Sequence, residues 1–431
     1  MKILVIGSGG REHAICRTFA KNPVVSSLWC ANGNAGIAEV AECVPIKPDD
    51  VEDLAAFAKR NAADLTFVGG ETPLALGIVD VFEAQGLRII GPNKEAAQLE
   101  ASKAFAKNFM ARHGVPTANY TIAHTPEFAV DELESGDFGD PATPVVVKAD
   151  GLAAGKGVVV ASDRGEAIAA IKDLEGLVGA NAAEKIVLEE CLVGKEVSLL
   201  MFVDGEDFVL MPPVRDHKRI GDGDTGPNTG GMGTITDSSL LTDAQTTEII
   251  DTIVRPTLHG CIREGFRYRG ILFLGLMMTA EGPKLLEYNV RFGDPETQAV
   301  LVRLETNLVD ICEAMLGGTL GKLNVRWQSG SSVCVVLASQ GYPVKPKIGD
   351  PIDGLGYASQ DTDVEIFHAG TATVAGSENL RVPGKTFTTA GGRVLGVTAI
   401  GNDLGSALQK AYTAVGKISW PGMQYRHDIG R

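Results

Sequence analysis

The sequence lacks the cysteine spacing of a disulfide-linked or zinc-binding domain. Its 431 residues include seven cysteines, an odd number, and no two of them form a Cys-x-x-Cys pair. Disulfide frameworks and structural zinc sites need closely patterned cysteines, so both are excluded. The cysteines are therefore expected to be buried free thiols in a reducing cytosol.

Long apolar segments are also missing. No stretch approaches the roughly 18 consecutive apolar residues that a membrane-spanning helix needs. The N-terminal apolar run Ile3–Ile6 ends at Gly7, which is too short for the core of a secretion signal. These absences predict a cytoplasmic protein with no membrane partner.

Positive charge is scarce. Lysine and arginine total 39, against 54 aspartate and glutamate residues, which gives a formal net charge of −15. A nucleic-acid surface needs a concentration of cations, so a nucleic-acid partner is excluded. An anionic ligand must instead be held by a few local cations and backbone N–H groups.

What remains is typical of a multidomain globular protein. Hydrophobic residues make up 44% and charged residues 22%, which excludes disorder, collagen and coiled coil. At roughly 150 residues per domain the length suggests about three domains, and we place them at 1–101, 102–327 and 328–431. Strands alternate with helices in the first hundred residues, which predicts a parallel α/β sheet, and the last region is rich in strands. The predicted fold class is α/β and α+β.

A glycine turn joins the first strand to the first helix. Gly7 and Gly9 fit the first two positions of G-x-G-x-x-G, but the third position falls on Glu12, so a dinucleotide cofactor is disfavoured. A turn at a helix N-terminus still offers N–H groups to an anion. Two interpretations stay open here. Either Gly9 and Gly10 bind a phosphate or a polar substrate, or the turn is structural.

A second glycine segment, Gly151–Gly157, lies at the tip of a hairpin predicted over 145–160. It is not a P-loop, because the spacing is one residue short, Lys156 is followed by glycine, and a strand comes next. Flexible glycines allow the backbone to close over a triphosphate while Lys148 and Lys156 offset its charge. The alternative is a flexible tip without a ligand.

A third segment, 221–233, is polar and rich in glycine, and it follows the charged run 216–219. A calcium loop is excluded because a required ligand position falls on Gly226. The composition predicts an irregular stretch over 215–233, which is neither a helix nor a packed strand, and the pattern after it predicts a helix over 243–264. Long irregular loops in compact domains are often functional, so we expect a substrate loop.

The strongest local pattern lies on the strand near residue 287. Glu287, Asn289 and Arg291 alternate along the chain, so a strand would project all three from one face. Two oxygen ligands beside a cation suit Mg²⁺ that is bound to substrate phosphates. A solvated outer strand face is the alternative interpretation.

A new helix is expected directly after this strand. Asp294 is placed to act as the N-cap, Pro295 to occupy the first helical position, and Glu296 to lie in the first turn. This arrangement predicts a second helix N-terminus close to the candidate metal ligands.

Five segments together resemble the phosphoribosylamine–glycine ligase family, whose members are also called glycinamide ribonucleotide synthetases. The segments are Gly9–Ala14, Lys148–Gly157, Asp216–Arg219, Thr225–Gly233 and Arg291–Gln298. The resemblance runs from Met1 to the C-terminus in order and without large gaps. The family belongs to the ATP-grasp superfamily. Membership implies a pre-ATP-grasp α/β domain, a two-lobed ATP-grasp domain with a mobile lobe at about 120–190, and a small C-terminal domain.

The resemblance implies the second step of purine biosynthesis. ATP, glycine and 5-phosphoribosylamine would give ADP, phosphate and glycinamide ribonucleotide through glycyl phosphate. Another ATP-grasp carboxylate–amine ligase, a bicarbonate-using carboxylase and a non-catalytic nucleotide sensor stay open as alternatives. The implied cofactor is Mg²⁺ or Mn²⁺. We expect a monomer that transiently contacts the enzyme supplying phosphoribosylamine.

The resemblance also implies roles for individual residues. The residues expected to bind ATP are Lys103, Lys148, Gly155, Lys156, Gly157, Glu189, Glu190, Leu192 and Glu196. The residues expected to bind the other substrates are Gly9, Gly10, Glu12, Asp216, His217, Lys218, Thr225, Pro227, Asn228, Gly231, Met232 and Arg291. Glu287 and Asn289 are the expected metal ligands, and Lys148, Arg291 and Asp294 the expected catalytic residues.

Overall fold

The computed structural model describes residues 1–152, 157–179, 185–373 and 386–431. Gly155 and Lys156, which the sequence places at the tip of the second glycine segment, lie outside the described residues. Within the described part, no helix is long and apolar enough to cross a membrane.

The first hundred residues form a five-stranded parallel sheet in the order β3-β2-β1-β4-β5. Side chains of the central strand enter two different apolar cores, with Leu4 and Ile6 in one and Ile3 and Val5 in the other, so the strand is covered on both faces. The strands are β1 (Lys2–Gly7), β2 (Ser27–Asn32), β3 (Glu42–Val44), β4 (Leu65–Val68) and β5 (Ile89–Ile90). The helices are α1 (Gly10–Ala20), α2 (Val51–Arg60), α3 (Glu71–Leu76), α4 (Ile78–Ala84) and α5 (Lys94–Ala101).

A four-stranded antiparallel sheet follows, in the order β6-β9-β7-β8. It contains the hairpin predicted over 145–160, because β7 pairs with β8. The strands are β6 (Tyr120–Ala123), β7 (Val145–Ala149), β8 (Val158–Ala161) and β9 (Ile186–Glu190). The accompanying helices are α6 (Lys103–His113), α7 (Pro126–Ser135) and α8 (Arg164–Val178).

One large sheet joins the middle of the chain to its end, in the order β17-β16-β10-β12-β15-β18-β23-β20, with β11 paired to β10. Its strands are β10 (Lys195–Asp204), β11 (Asp207–Leu210), β12 (Val214–Asp216), β15 (Gly233–Thr236), β16 (Arg269–Thr279), β17 (Gly282–Asn289), β18 (Ser331–Ala338), β20 (Val364–His368) and β23 (Arg393–Gly401). The sheet crosses the boundary predicted at 327, and the domain limits stay a prediction.

Smaller elements complete the described fold. The two-stranded sheet consists of β13 (Arg219–Gly221) and β14 (Thr225–Asn228), and the three-stranded sheet of β19 (Pro351–Ile352), β21 (Thr371–Thr373) and β22 (Phe387–Thr389). The remaining helices are α9 (Asp243–Ile249), α10 (Arg255–Arg263), α11 (Glu296–Leu301), α12 (Leu308–Gly317), α13 (Leu355–Ala358) and α14 (Leu404–Val415). The predicted fold class is confirmed, with a parallel sheet first and a strand-rich region last.

Two local predictions were wrong, and a third holds with an interruption. The segment 215–233 is not irregular: it contains β13 and β14, which pair through their backbones without an alternating apolar pattern. The helix predicted over 243–264 is interrupted by a π-helical turn, Ile250–Val254. Asp294 does not cap the following helix, which begins at Glu296, because its carboxylate instead accepts a hydrogen bond from Gln298 Nε2 at 2.9 Å.

Two glycines allow the first sheet to lie close to the large sheet. Gly270 on β16 has a φ of +147°, and a Cβ added there would lie 3.2 Å from the Cα of Gly91. Gly91 follows β5 directly. The backbones therefore approach each other where only glycine fits without strain.

We expect Gly270→Ala to lower the free energy of unfolding by about 1–3 kcal/mol, because the new methyl group meets backbone at a φ that disfavours alanine. The matched control is Gly176→Ala on the exposed side of α8, where no atom lies within 4 Å of an added Cβ. That control should be neutral or slightly stabilising. Urea unfolding measures both variants, and equal stability of Gly270→Ala and wild type would contradict the prediction.

Candidate functional site

Three lysines converge on one carboxylate. Glu287 lies on β17. The lysines come from the start of α6 (Lys103), from β7 (Lys148) and from the residues after β12 (Lys218). Burial favours the neutral acid, yet these three lysines hold the pKa of Glu287 below its usual range. A Cβ on Gly275 of β16 would lie 3.1 Å from the Glu287 Cγ, so this glycine leaves space for the carboxylate side chain.

The cap of α6 sets the position of Lys103. The Ser102 hydroxyl caps the helix and also donates to Asp150 Oδ2 at 3.1 Å. The Lys103 Nζ donates to the Gly151 carbonyl at 2.9 Å, and burial lowers the pKa of this lysine. Helix α6 is thus fastened to the turn after β7, at the base of the glycine hairpin.

A buried carboxylate links Lys148 to a lysine that sequence reasoning missed. Glu189 Oε1 lies 2.7 Å from Lys148 Nζ, and Glu189 Oε2 lies 2.9 Å from Lys107 Nζ. Both Glu189 and Lys107 are only 2% exposed. Burial lowers the pKa of Lys107 to about 8, with Glu189 opposing the shift. The Glu189 side chain is therefore committed to two lysines.

The other residues expected to bind ATP lie at the end of β9 (Glu190), in the connection that follows it (Leu192) and near the start of β10 (Glu196). The Glu190 carboxylate accepts hydrogen bonds from the backbone and side-chain nitrogens of Asn119, at 3.0 and 3.1 Å. Leu192 is half-buried. Glu196 Oε2 pairs with Lys218 Nζ at 3.0 Å, which ties this strand to the charged run 216–219.

Arg291 lies beyond the end of β17, so it does not continue the strand face as predicted. Its guanidinium nonetheless contacts Asn289, because Nη2 donates to Asn289 Oδ1 at 3.0 Å. It also pairs with Glu100 at 2.7 Å and with Glu71 at 3.2 Å. Although burial opposes it, Arg291 and Arg11 hold the pKa of Glu71 at about 2. Neither glutamate stood out in the sequence.

The first glycine turn is filled by the chain's own carboxylates. The Gly9 N–H donates to Glu12 Oε2 at 2.6 Å, and the Arg11 N–H faces Asp294 Oδ2 at 3.4 Å. Gly10 opens helix α1 between these two contacts. The predicted residues do meet here, but these two N–H groups are not free for a phosphate.

The glycine-rich loop packs tightly against the start of α11. Gly231 has a φ of +109°, and an added Cβ would lie 2.8 Å from Asp216 Oδ1 and 2.5 Å from Pro295 Cδ. Burial, reinforced by the nearby Glu296 carboxylate, raises the pKa of Asp216 well above its usual value. Two acidic groups therefore share this corner of the site.

Two residues predicted to bind substrate make contacts within the chain. The His217 ring pairs with the Gly233 carbonyl at 3.1 Å and accepts a hydrogen bond from the Gly430 N–H at 3.1 Å. Burial lowers the pKa of His217 to about 4, so the ring is neutral. Met232 is fully buried, and its N–H donates to the His217 carbonyl at 2.8 Å. Its side chain is buried in the core, and its substrate contact stays a prediction.

The remaining predicted residues divide into three groups. Thr225, Pro227 and Asn228 are exposed on β14. The Gly157 carbonyl accepts a hydrogen bond from the Ala149 N–H at 2.8 Å and so closes the β7–β8 hairpin. Gly155 and Lys156 lie outside the described residues.

Arg393 is a site residue that the sequence did not reveal. It begins β23, and its Nη1 donates to the carbonyls of Asp294, at 2.6 Å, and of Gly230. The Tyr342 hydroxyl accepts a hydrogen bond from the Gly230 N–H at 3.1 Å. The glycine-rich loop is thus held from the last region of the chain.

The oxygen donors on β17 suit a hard divalent cation. No group of three or more His, Cys, Asp or Glu side chains in the described ranges could hold a metal ion by itself. Glu287 offers an ionised carboxylate, and Asn289 Oδ1 keeps a second lone pair beside its bond to Arg291. Such a set fits a cation that takes its other oxygen ligands from phosphates and water.

Three sequence profiles match the chain almost from end to end. They describe phosphoribosylglycinamide synthetase: its N domain at residues 1–100, its ATP-grasp (A) domain at 101–297 and its C domain at 332–431. The chain belongs to the phosphoribosylglycinamide synthetase family. The resemblance inferred from the five sequence segments is therefore confirmed.

Relatives in this family cover the whole chain. The phosphoribosylamine–glycine ligase of Xanthomonas campestris pv. campestris is 47% identical over 434 residues, which span 100% of this chain and 97% of that protein. The enzyme of the same name from Vibrio parahaemolyticus is 45% identical and is covered to 98%. The crystal structure of phosphoribosylamine–glycine ligase from Thermotoga maritima is 34% identical, with a TM-score of 0.84 and full coverage of both chains.

Outside the family, the likeness concerns the fold alone. The biotin carboxylase domain of Hydrogenobacter thermophilus 2-oxoglutarate carboxylase is 16% identical, with a TM-score of 0.73 over 98% of this chain and 91% of that one. Family members and this carboxylase therefore share an ATP-grasp fold.

Burial of Glu100 should make the free energy of unfolding depend on pH. Burial, with the Glu71 carboxylate adding to it, raises the pKa of Glu100 from 4.5 to about 7, although Arg291 opposes the shift. Between these values the folded carboxyl keeps a proton that the unfolded chain releases. The free energy of unfolding should therefore fall as pH rises through this window.

We expect Glu100→Gln to remove this contribution, so the fall in unfolding free energy between about pH 5 and about pH 7 shrinks by about 1–3 kcal/mol. The control is Glu95→Gln, an exposed position on the same helix. Urea unfolding at both pH values measures the difference. The idea fails if both variants keep the pH dependence of the wild type.

Proposed function

We propose that the chain joins glycine to 5-phosphoribosylamine, with ATP converted to ADP and phosphate, to give glycinamide ribonucleotide in purine biosynthesis. Relatives that match it over its full length carry the name phosphoribosylamine–glycine ligase. The observation that carries the proposal within the site is the convergence of Lys103, Lys148 and Lys218 on Glu287. Such a cluster suits a triphosphate.

The chemistry explains why the site needs charge more than a nucleophile. A glycine carboxylate resists attack by an amine, because its negative charge repels the amine and oxide is a poor leaving group. Transfer of the ATP γ-phosphoryl group to this carboxylate forms glycyl phosphate. The amine of phosphoribosylamine then attacks the carbonyl carbon, the C–O bond to phosphate breaks, and the amine loses a proton. Both steps concentrate negative charge, which preorganised cations stabilise.

The lysines are proposed to bind the nucleotide's phosphates. Lys148 is held by Glu189, which also pairs with Lys107, so its ammonium is fixed before ATP arrives. Lys103 is fixed by the Gly151 carbonyl. Fixed cations need little reorganisation when charge develops, which is the advantage of a preorganised site. Gly157, Glu190, Leu192 and Glu196 are proposed to line the rest of the nucleotide site.

The acidic corner is proposed to receive the amino end of glycine. Asp216 and Glu296 each have a raised pKa, and burial is the largest cause for both. An ammonium group placed near them would favour their ionised forms. Arg291, which orients Asn289, is proposed to face the carboxyl end of glycine.

We propose that Glu287 and Asn289 hold the divalent ion, Mg²⁺ or Mn²⁺, that accompanies ATP in the ATP-grasp fold. When bound, the ion would offset the charge of the transferring phosphoryl group. The residues' own task is to present two oxygens from one face of β17, next to Lys103 and Lys148. The monomeric state and the contact with the upstream enzyme stay predictions, and sedimentation of the purified chain tests the first.

Substrate-dependent ADP release tests the reaction. The purified chain is given ATP with glycine and freshly made phosphoribosylamine, or ATP with bicarbonate and aminoimidazole ribonucleotide. We expect ADP only in the first mixture. ADP only in the second would favour an ATP-grasp carboxylase, and ATP binding without turnover in either would favour a nucleotide sensor.

We expect Glu287→Gln to lower kcat at least about 10²-fold, because an uncharged amide is a far weaker ligand for the ion and leaves the lysines less well balanced. The control is Glu281→Gln at the turn before β17, where the side chain is 80% exposed. Coupled ADP assays with saturating substrates measure both. Circular dichroism verifies that the variants fold, and a folded Glu287→Gln with near-normal kcat would refute the assignment.

A further inference from the structure

The hairpin β13–β14 has little of its own to hold its shape. Residues 222–228 are all exposed, and Ile220 is only partly buried. An isolated two-stranded hairpin is marginally stable in water. Its turn also contains a non-glycine residue in the left-handed region, Asp224 with a φ of +53°. Something outside the hairpin must therefore stabilise this conformation.

The C-terminal segment Arg426–Arg431 supplies that support. The Arg426 side chain is 1% exposed, although it carries a charge. Its Nη1 donates to Asp224 Oδ1 at 2.6 Å and to the Arg219 carbonyl at 3.2 Å, so one guanidinium contacts the turn and β13 together. Asp428 holds the opposite edge of the guanidinium through two hydrogen bonds of 2.7 Å.

The same segment contacts the turn at two further points. The His427 N–H donates to Asp222 Oδ1 at 2.8 Å, and the Gly223 N–H donates to Asp428 Oδ2 at 2.8 Å. Three consecutive residues of the turn are therefore bonded to the C-terminal segment. These contacts are polar and directional, so they fix orientation in addition to position.

The contacts continue to the base of the hairpin. The Gly430 N–H donates to His217 Nε2 at 3.1 Å, and Arg215 Nη2 donates to the Arg431 carbonyl at 3.1 Å. His217 lies between Asp216 and Lys218, whose side chains belong to the acidic corner and to the lysine cluster. The segment Arg426–Arg431 thus contacts both the turn of the hairpin and the residues 215–217 that lead into it.

We propose that Arg426 is a positioning residue for the reaction: it fixes the β13–β14 hairpin so that the adjacent run 216–219 and the loop 229–231 keep their place in the site. The residue touches no substrate in this scheme. The kinetic part of the inference rests on the proposed function, whereas the conformational part does not. Loss of Arg426 should raise hairpin mobility first and impair glycine use as a consequence.

Hydrogen exchange in the absence of substrates tests the conformational part. We expect Arg426→Met to speed exchange of the amides of residues 219–228 at least about tenfold, while the amides of β16 keep their wild-type rates. The exchange rates in Arg426→Lys should lie between those of wild type and Arg426→Met, because lysine keeps the charge but not the forked set of N–H donors. The control is Lys410→Met, which breaks another ion pair of the same region, with Asp363, away from the hairpin.

Unchanged exchange in a folded Arg426→Met would overturn the proposal, as would an equal acceleration in Lys410→Met. Should Arg426→Met not fold, Asp224→Asn removes the negative charge that faces Arg426 on the exposed turn and leaves a weaker neutral hydrogen bond, so it should speed hairpin exchange about threefold. Wild-type exchange in Asp224→Asn would then count against the proposal.

Kinetics test the functional part. We expect Arg426→Met to lower kcat/KM for glycine about tenfold. The control Lys410→Met should keep the wild-type kcat/KM. A normal kcat/KM in an Arg426→Met protein whose hairpin exchanges faster would show that glycine use does not depend on a fixed hairpin, and it would refute the kinetic part of the inference. If wild type itself forms no ADP with glycine and phosphoribosylamine, the proposed function fails, and the exchange result still decides the conformational inference.

Discussion

Mutual compensation of buried charges is the constraint on which the site depends. Lys103, Lys148 and Lys218 would repel one another, and Glu287 reduces that repulsion because it is held ionised among them. Glu189 does the same between Lys148 and Lys107. Each lysine is thus fixed by a neighbour, yet the cluster keeps cations for an anionic ligand. Local pairing of lysines with carboxylates explains how the proposed phosphate site fits a chain whose net charge is −15.

The same compensation connects parts of the chain that are distant in sequence. Arg291, at the end of β17, is held by Glu71 and Glu100 from the first hundred residues. Arg393 and Arg426, from the last region, hold the glycine-rich loop at Gly230 and the hairpin at Asp224. The large sheet also continues from the middle of the chain into its end. The site therefore belongs to the whole chain, because each region supplies charges that the others need.

Local patterns in the sequence predicted what local forces determine. The buried run at Ile3–Ile6, the hairpin over 145–160 and the spacing of Glu287 and Asn289 all follow from periodicity. Long-range pairing could not be predicted in this way, because a lysine such as Lys107 on a helix reads as a solvated side chain until its partner is known. The displaced cap at Asp294 has the same origin. Gln298 and Arg11 attract its carboxylate more effectively than the helix N–H groups do.

The two ends of the candidate site also differ in charge. Lysines dominate the end near β7 and α6, whereas carboxylates dominate the end near the first glycine turn, where Glu12 and Asp294 occupy the N–H groups of α1. Asp216 lies on the acidic side, and burial raises its pKa because no cation fully balances it. A ligand that is anionic at one end and cationic at the other fits this gradient in one orientation only. Polyphosphate and an amino acid's ammonium group carry these opposite charges, so the charge distribution favours the orientation proposed above for ATP and glycine.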